Sequence, residues 1–263
     1  MIMDLSFLEN CIIGICDAAP LEEERQRLLD SPTPFVTSDI DKRIDPSLSL
    51  PGVKSVIVLG KPYEPSPTNN LSSLAYGTDY HLTVKELLTQ LASQLNCNSL
   101  IMVDSGPLYE RAFAVKAGLG FWGKNGMVIS TKLGSYFNIG LLLVDIVLSY
   151  TSPIQDKCPD DCQLCLDACA NNAIGSPMDC ASYHTQKKSA PTLEKINGQI
   201  YGCDICQACC PFNIKAERSI AIDPEIFLKM EDEEFSKKYG HTSMAWRGLK
   251  HIKRNANILK GNI

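Results

Sequence analysis

CPDDCQLCLDAC at residues 158–169 and CDICQACCP at residues 203–211, with Cys180 between them, decide how this chain is read. Nine of its twelve cysteines lie between Cys158 and Cys210. The first run is spaced C-x3-C-x2-C-x3-C; the second runs Cys203-x2-Cys206-x3-Cys210-Pro211. Disulfide frameworks of this density belong to small secreted domains. This chain has 263 residues, and its N-terminus, MIMDLSFLEN, has neither the basic region nor the cleavage site of a secretory signal. Structural zinc asks for separate C-x2-C pairs closing one tetrahedron. Eight thiols in two close runs, the last followed by proline, fit two [4Fe–4S] cubanes better.

Paired runs of this kind hold two cubanes in bacterial ferredoxins, the fourth thiolate of each run crossing to the other cluster. The crossover assigns Cys158, Cys162, Cys165 and Cys210 to one cluster, and Cys169, Cys180, Cys203 and Cys206 to the other. One spacing departs from that pattern: three residues, not two, separate Cys158 from Cys162, and a loop insertion absorbs the extra one. Cys209 is left over, as a packing residue or as a ligand if the assignment slips by one. Cys11, Cys16 and Cys97 sit in apolar contexts and are expected to be buried core thiols.

Composition bounds the rest. A chain that is 44% hydrophobic and 21% charged is globular, and no apolar run approaches the roughly 18 residues of a membrane span. A net charge of −5 argues against a general nucleic-acid coat. The charge is uneven, however: residues 237–260 hold seven Lys or Arg and no carboxylate, directly after an acidic stretch, Asp223 to Glu234. The expected protein is cytoplasmic, without a membrane segment, and monomeric.

Upstream of the cysteines, strand and helix signals alternate. Ser55–Leu59 (SVIVL) reads as a buried strand, and 82–95 as an amphipathic helix. Leu100–Val103 reads as a second strand, and 108–117 as a helix capped by Gly118. Residues 126–130 and 139–147 read as further strands. The fold class expected is α+β: a mixed α/β domain over 1–150, a ferredoxin-like double-cluster domain over 151–213 and a helical tail over 214–263.

Two features of the first domain go beyond packing. Asp104 stands at the mouth of a buried strand. Desolvation there would raise its pKa, as a general acid requires; Asp is equally a favoured helix N-cap for the segment that follows. Residues 118–126 (GLGFWGKNG) carry four glycines around Phe121 and Trp122. That loop either lets backbone and aromatic rings approach a flat ligand or is a tight turn between helix and strand; it matches no phosphate-loop or dinucleotide fingerprint.

As a set, VDSGPLYERAFAVKAGLGFWGKNGMVIS (103–130), GSYFNIGLLLVDI (134–146) and YGCDICQACCPFN (201–213) closely resemble the epoxyqueuosine reductases. RIDPSLSLPGVKSVIVLG (43–60), YGTDYH (76–81) and Cys180 in its Cys-x-x-Tyr-x-Thr setting agree with this, and the resemblance covers roughly residues 40–255. It implies a cobalamin-dependent reductase with two [4Fe–4S] clusters that removes the epoxide oxygen of epoxyqueuosine in the tRNA anticodon loop. An external donor such as flavodoxin or ferredoxin would supply its electrons. Asp104 matches the family's proposed acid. Tyr80, His81, Ser105, Gly120, Trp122, Lys124, Asn125 and Ser135 fall on segments that line the family's cobalamin site, with Lys124 expected to pair with a cofactor amide or phosphate.

Some residues depart from the pattern. Family members commonly continue into a helical repeat domain that grips tRNA, whereas this chain stops at Ile263, which implies a short form. Its last segment offers Trp246, Arg247, Lys250, Lys253 and Arg254, a set suited to phosphate contact and base stacking and equally to a solvated helix face. The family's Tyr-x-Thr-Ile-Glu becomes Tyr183-His184-Thr185-Gln186-Lys187, with loss of the acid. Two other readings therefore stand beside the first: a cobalamin reductase of a small molecule, similar to reductive dehalogenases, and a non-catalytic two-cluster electron carrier.

Overall fold

Ser55–Pro62 (SVIVLGKP) forms a strand whose first six residues are all buried, as an unbroken apolar run covered on both faces requires. Among the described residues it is the second of six strands: β1 (Ile12–Asp17), β2 (Ser55–Pro62), β3 (Ser99–Met102), β4 (Phe121–Trp122), β5 (Val128–Ile129) and β6 (Phe137–Val144). The helices are α1 (Arg25–Asp30), α2 (Ile40–Ile44), α3 (Tyr80–Ser93), α4 (Glu110–Lys116), α5 (Leu164–Ala168), α6 (Ala181–Gln186), α7 (Leu193–Ile196), α8 (Ile205–Ala208), α9 (Pro224–Lys229), α10 (Asp232–Tyr239) and α11 (Leu249–Leu259). This computed structural model describes residues 4–214 and 218–261. It divides into two units, one formed by the chain up to Tyr63 with His81–Cys162, the other by Glu64–Tyr80 with the chain from Gln163 onward.

The first unit is a mixed α/β layer structure. Its sheet runs β1-β2-β6-β3 with every pair antiparallel. Side chains alternate between faces. Val56, Val58, Leu141 and Leu143 join Ala112, Phe113 and Ala117 of the α4 segment in one core. On the opposite face α3 packs so closely over Gly140 that a Cβ there would lie 2.5 Å from Val84 and 2.8 Å from Leu88.

Most expected elements are present with shifted ends, and three differ in kind. β1 was not anticipated, because Gly14 interrupts its apolar run. The interruption is itself structural, since a Cβ at Gly14 would fall 2.0 Å from the carbonyl of Ala117. The strand expected over 126–130 is reduced to β5, which pairs with β4 as a two-residue hairpin. The tail is helical as expected, but α9–α11 are more than an appendage. Phe227, Met230, Tyr239, Met244, Ile252 and Ala256 share the core of the second unit with Leu71, Ile200 and Tyr201. None of the described helices is long and apolar enough to cross a membrane.

Asp204 ties the 64–80 segment into the second unit. It is 2% exposed and accepts from Ser72 Oγ (2.7 Å), Ser73 N (2.6 Å) and Ser73 Oγ (2.6 Å). It also pairs with Arg218 at 3.2 Å. Arg218 in turn donates to the carbonyls of Thr68 and Leu71. A buried ion pair persists only when hydrogen bonds complete it, and here they come from the segment being held.

Candidate active site and cluster ligands

Asp104 leaves β3 in a left-handed conformation, φ +55°, and the N–H of Ser105 closes on the carbonyl of Val103 at 2.6 Å. The result is a γ-turn centred on a non-glycine residue with positive φ, the rarer and more strained form. Asp104 caps no helix: α4 begins after Tyr109 without a side-chain cap. Its carboxyl is 62% exposed and lies 3.7 Å from His81 Nε2. Desolvation acts on the neighbouring carboxyl of Glu110. Burial, reinforced by the Asp104 charge and opposed by the Asp104 N–H, His81 and Arg111, pushes the Glu110 carboxyl up to about 8. The Asp104 N–H donates to Glu110 Oε1 at 2.7 Å. Sequence reasoning missed Glu110, since a glutamate in the first turn of a helix is unremarkable on dipole grounds alone.

The structure explains much of the glycine loop without a ligand. Gly120 is required because a Cβ there would meet the Ile129 carbonyl at 2.3 Å across the hairpin. Trp122 donates to Glu24 through Nε1, carries the Arg27 guanidinium 3.7 Å over its ring and packs beside Tyr109. Its ring is engaged within the unit rather than held open for a flat ligand. Asn125 is buried and accepts from the Met127 N–H in the hairpin turn. Lys124 Nζ donates to the carbonyls of Asp160 and Cys162, both at 2.8 Å. Two of its three donors therefore organise the first cysteine loop. Ser135 is buried. Tyr80 and His81 open α3, both half-buried, and Ser105 is exposed. Of the cobalamin residues expected, His81 and Ser105 accompany Asp104 at the open end of β3.

The thiol-rich segment has donor chemistry that fits clusters. Cys203 is pushed up to about 12, first by burial and then by Cys180, Asp204 and Cys169. Cys206 is raised further, by burial and by Cys203, Cys180 and Cys165. Cys180 and Cys169 thus stand near Cys203, and Cys203, Cys180 and Cys165 near Cys206; of these only Cys165 is fully buried. Among the described residues no three Cys, His, Asp or Glu side chains close round one point as they would round a single ion; a cubane is held at its corners, so its thiolates stand apart. Of the Cys158–Cys162–Cys165–Cys210 set, Cys165 and Cys210 belong to the second unit, while Cys158 and Cys162 end the first. Cys209 directs its thiol at the carbonyls of Leu164 and Cys206, a packing role. Cys16 is buried and pushed up to about 12 by that burial, as a core thiol should be; Cys11 and Cys97 are only half-buried.

In the tail, Arg254 departs from expectation. Its guanidinium binds the carbonyls of Lys187, Lys188 and Ser189 through Nη1, and that of Thr185 through Nη2. It satisfies the open C-terminus of α6. Asn255 adds bonds to Thr185 and Ile200, and the N–H of Gly202 donates to Thr185 Oγ1. The Tyr183–Lys187 segment is thereby fixed next to the second cysteine run. Arg247 stacks on Trp246 at 3.6 Å, and Trp246 is 51% exposed. Lys250 and Lys253 line an open cleft of about 480 Å³ that Glu231 and Asp232 also line, so its charge is mixed.

Known proteins resemble this arrangement throughout. Residues 43–105 match the family described as "Epoxyqueuosine reductase QueG, DUF1730", and residues 157–213 the "4Fe-4S double cluster binding domain". The chain is 35% identical to the epoxyqueuosine reductase of Staphylococcus aureus over 93% of its own length and 74% of the relative's. It is 33% identical to that of Leadbetterella byssophila, covering 94% of this chain and 93% of the relative; a protein of nearly matching extent thus bears the same name. The structure superposes on epoxyqueuosine reductase from Streptococcus thermophilus with a TM-score of 0.84 at 32% identity, covering 95% of this chain and 77% of that one. It also superposes on an epoxyqueuosine reductase solved with an epoxyqueuosine-modified tRNA-Tyr stem loop, with a TM-score of 0.81 at 31% identity, covering 94% and 76%.

Proposed function

The chain belongs to the epoxyqueuosine reductase family, and from that premise we propose that it reduces epoxyqueuosine to queuosine in the anticodon loop of tRNA. The observation that carries the reading is the pairing of a double [4Fe–4S] cluster binding segment with Asp104 and His81 at 3.7 Å on an open strand end. The reaction takes two electrons and two protons into the epoxide, breaks both C–O bonds and releases water. The two clusters would be held by Cys158, Cys162, Cys165 and Cys210, and by Cys169, Cys180, Cys203 and Cys206. Held there they would relay electrons singly, and a corrin cofactor would supply the low-potential chemistry.

The residues of the chain supply position and protons. Asp104 delivers a proton from its carboxyl to the epoxide oxygen as a C–O bond breaks. His81 Nε2, next to Asp104 Oδ2, is placed to return a proton to that carboxyl. The cobalamin-binding role belongs to the mixed α/β unit, with His81 on α3, Ser105 in the turn beside Asp104 and Ser135 in the turn before β6. A small external redox protein supplies electrons, and the enzyme acts as a monomer in the cytoplasm.

Trp246, Arg247, Lys250 and Lys253 contact the tRNA, and Arg254 supports the fold beneath them. Replacing Lys250 and Lys253 together by Ala should weaken tRNA binding and lower its salt slope by about one per lost phosphate contact, with melting unchanged. Arg254→Ala should instead lower the melting temperature, because charge-assisted bonds worth about 1.5–3 kcal/mol are lost. Titration of binding against salt, with parallel melts, separates the two roles.

The function is tested by supplying the anaerobically reconstituted protein with cobalamin, a strong reductant and an epoxyqueuosine-containing anticodon stem loop. Nucleoside mass spectrometry should find queuosine. Unchanged epoxyqueuosine, with turnover of a small epoxide or organohalide, would replace tRNA with a small-molecule substrate; no turnover of either would leave an electron carrier.

A further inference from the structure

We propose that Glu110 is the positioning residue of the active-site turn: its carboxyl oxygen, accepting the Asp104 N–H, latches Asp104 in the left-handed conformation that aims its side chain. The observations are independent of any bound group. Asp104 has φ +55° in a turn closed by the Ser105 N–H on Val103. Non-glycine residues enter that region at a cost, and surroundings that over-determine it keep them there. The turn is open on its outer side, since Asp104 and Ser105 are both exposed. Glu110 supplies the restraint from within. It lies on the first turn of α4, and that helix is fixed to the sheet by Ala112, Phe113 and Ala114, all buried. The bond spans six residues at 2.7 Å, joining the exposed turn to a helix packed on the sheet.

Protonation fits the same geometry. The charged groups facing Glu110 are Asp104 from the turn, His81 from α3 and Arg111 on its own helix, and burial dominates over all of them. A neutral Glu110 accepts the N–H through its carbonyl oxygen and sets no charge of its own beside Asp104. The unfolded glutamate ionises near 4.5 and the folded one near 8. Between those values the unfolded state binds fewer protons, so stability falls as pH rises and levels off above about 8.

The test compares Glu110→Ala and Glu110→Gln with the wild type by hydrogen–deuterium exchange of residues 103–106 and by denaturation across pH 4 to 9. Glu110→Ala should exchange these amides at least about fivefold faster, with protection of β2 and β6 unchanged, and should lower kcat without raising KM for tRNA. Glu110→Gln, whose amide oxygen still accepts, should exchange as the wild type does and should lack the wild-type fall in stability. Wild-type exchange in Glu110→Ala, or fast exchange in Glu110→Gln, would overturn the latch. Should Glu110→Ala lose β2 and β6 protection, Glu110→Gln decides: fast exchange of residues 103–106 in it, with β2 and β6 protected, would overturn the latch. The effect on kcat rests on the acid role proposed for Asp104, whereas the exchange does not. Fast exchange in Glu110→Ala together with full activity in Asp104→Asn would keep the latch and remove the acid.

Discussion

Asp104→Asn should fold, load iron and bind tRNA as the wild type does, and should lose about 10²–10⁴-fold in the rate of epoxide reduction. The prediction is sharp because asparagine is the one close substitute that tolerates Asp104's φ of +55°. It keeps the backbone N–H that Glu110 accepts, and its side chain is nearly isosteric. Only the transferable proton is removed. His81 stands 3.7 Å from the carboxyl and can reload an acid, but it cannot make an amide acidic. Single-turnover measurement with pre-reduced protein isolates this step from electron delivery. Full activity in Asp104→Asn would show that the proton comes from elsewhere, His81 being the next group in line.

Asp204→Ala is expected to be the most damaging change outside the cysteines. It leaves the Arg218 guanidinium, whose side chain is 8% exposed, without its counter-charge, and strips Ser72 and Ser73 of their acceptor. Breaking one side of a buried pair costs about 3–5 kcal/mol, a large part of a typical domain's stability, and should lower the melting temperature by roughly 10 °C. Because Asp204 stands between Cys203 and Cys206, iron content should fall with it. Asp204→Asn should be milder but still harmful, since its amide would turn a donor toward Ser73. Melting within about 2 °C of the wild type for Asp204→Ala would refute the anchor role.

The sequence carried the chemistry further than the architecture. Cysteine spacing is a one-dimensional signal of a three-dimensional ligand set, so the two thiol groups were legible before any fold was. β2, β3, β6, α3 and α4 were legible because apolar periodicity survives in them. β1 was not, because Gly14 answers a contact with Ala117, more than a hundred residues away. The same limit hid the true role of several site residues. Lys124, Trp122 and Arg254 each look free in a string of letters; their partners are the carbonyls of Asp160 and Cys162, the side chains of Glu24 and Arg27 and the end of α6. Glu110 was invisible for the converse reason, since its importance lies in a bond to the backbone of Asp104, and a backbone donor has no letter. Asp204, conspicuous only as the spacer between two cysteines, anchors a segment 131 residues upstream.

Iron and sulfide analysis of the anaerobically reconstituted protein, with low-temperature EPR of the reduced form, bears most directly on the claim from which all else follows. Two cubanes require about eight irons and about eight sulfides per chain, and Cys206→Ala should retain about half of each. Stoichiometric zinc, or about four irons in the unmutated protein, would contradict it.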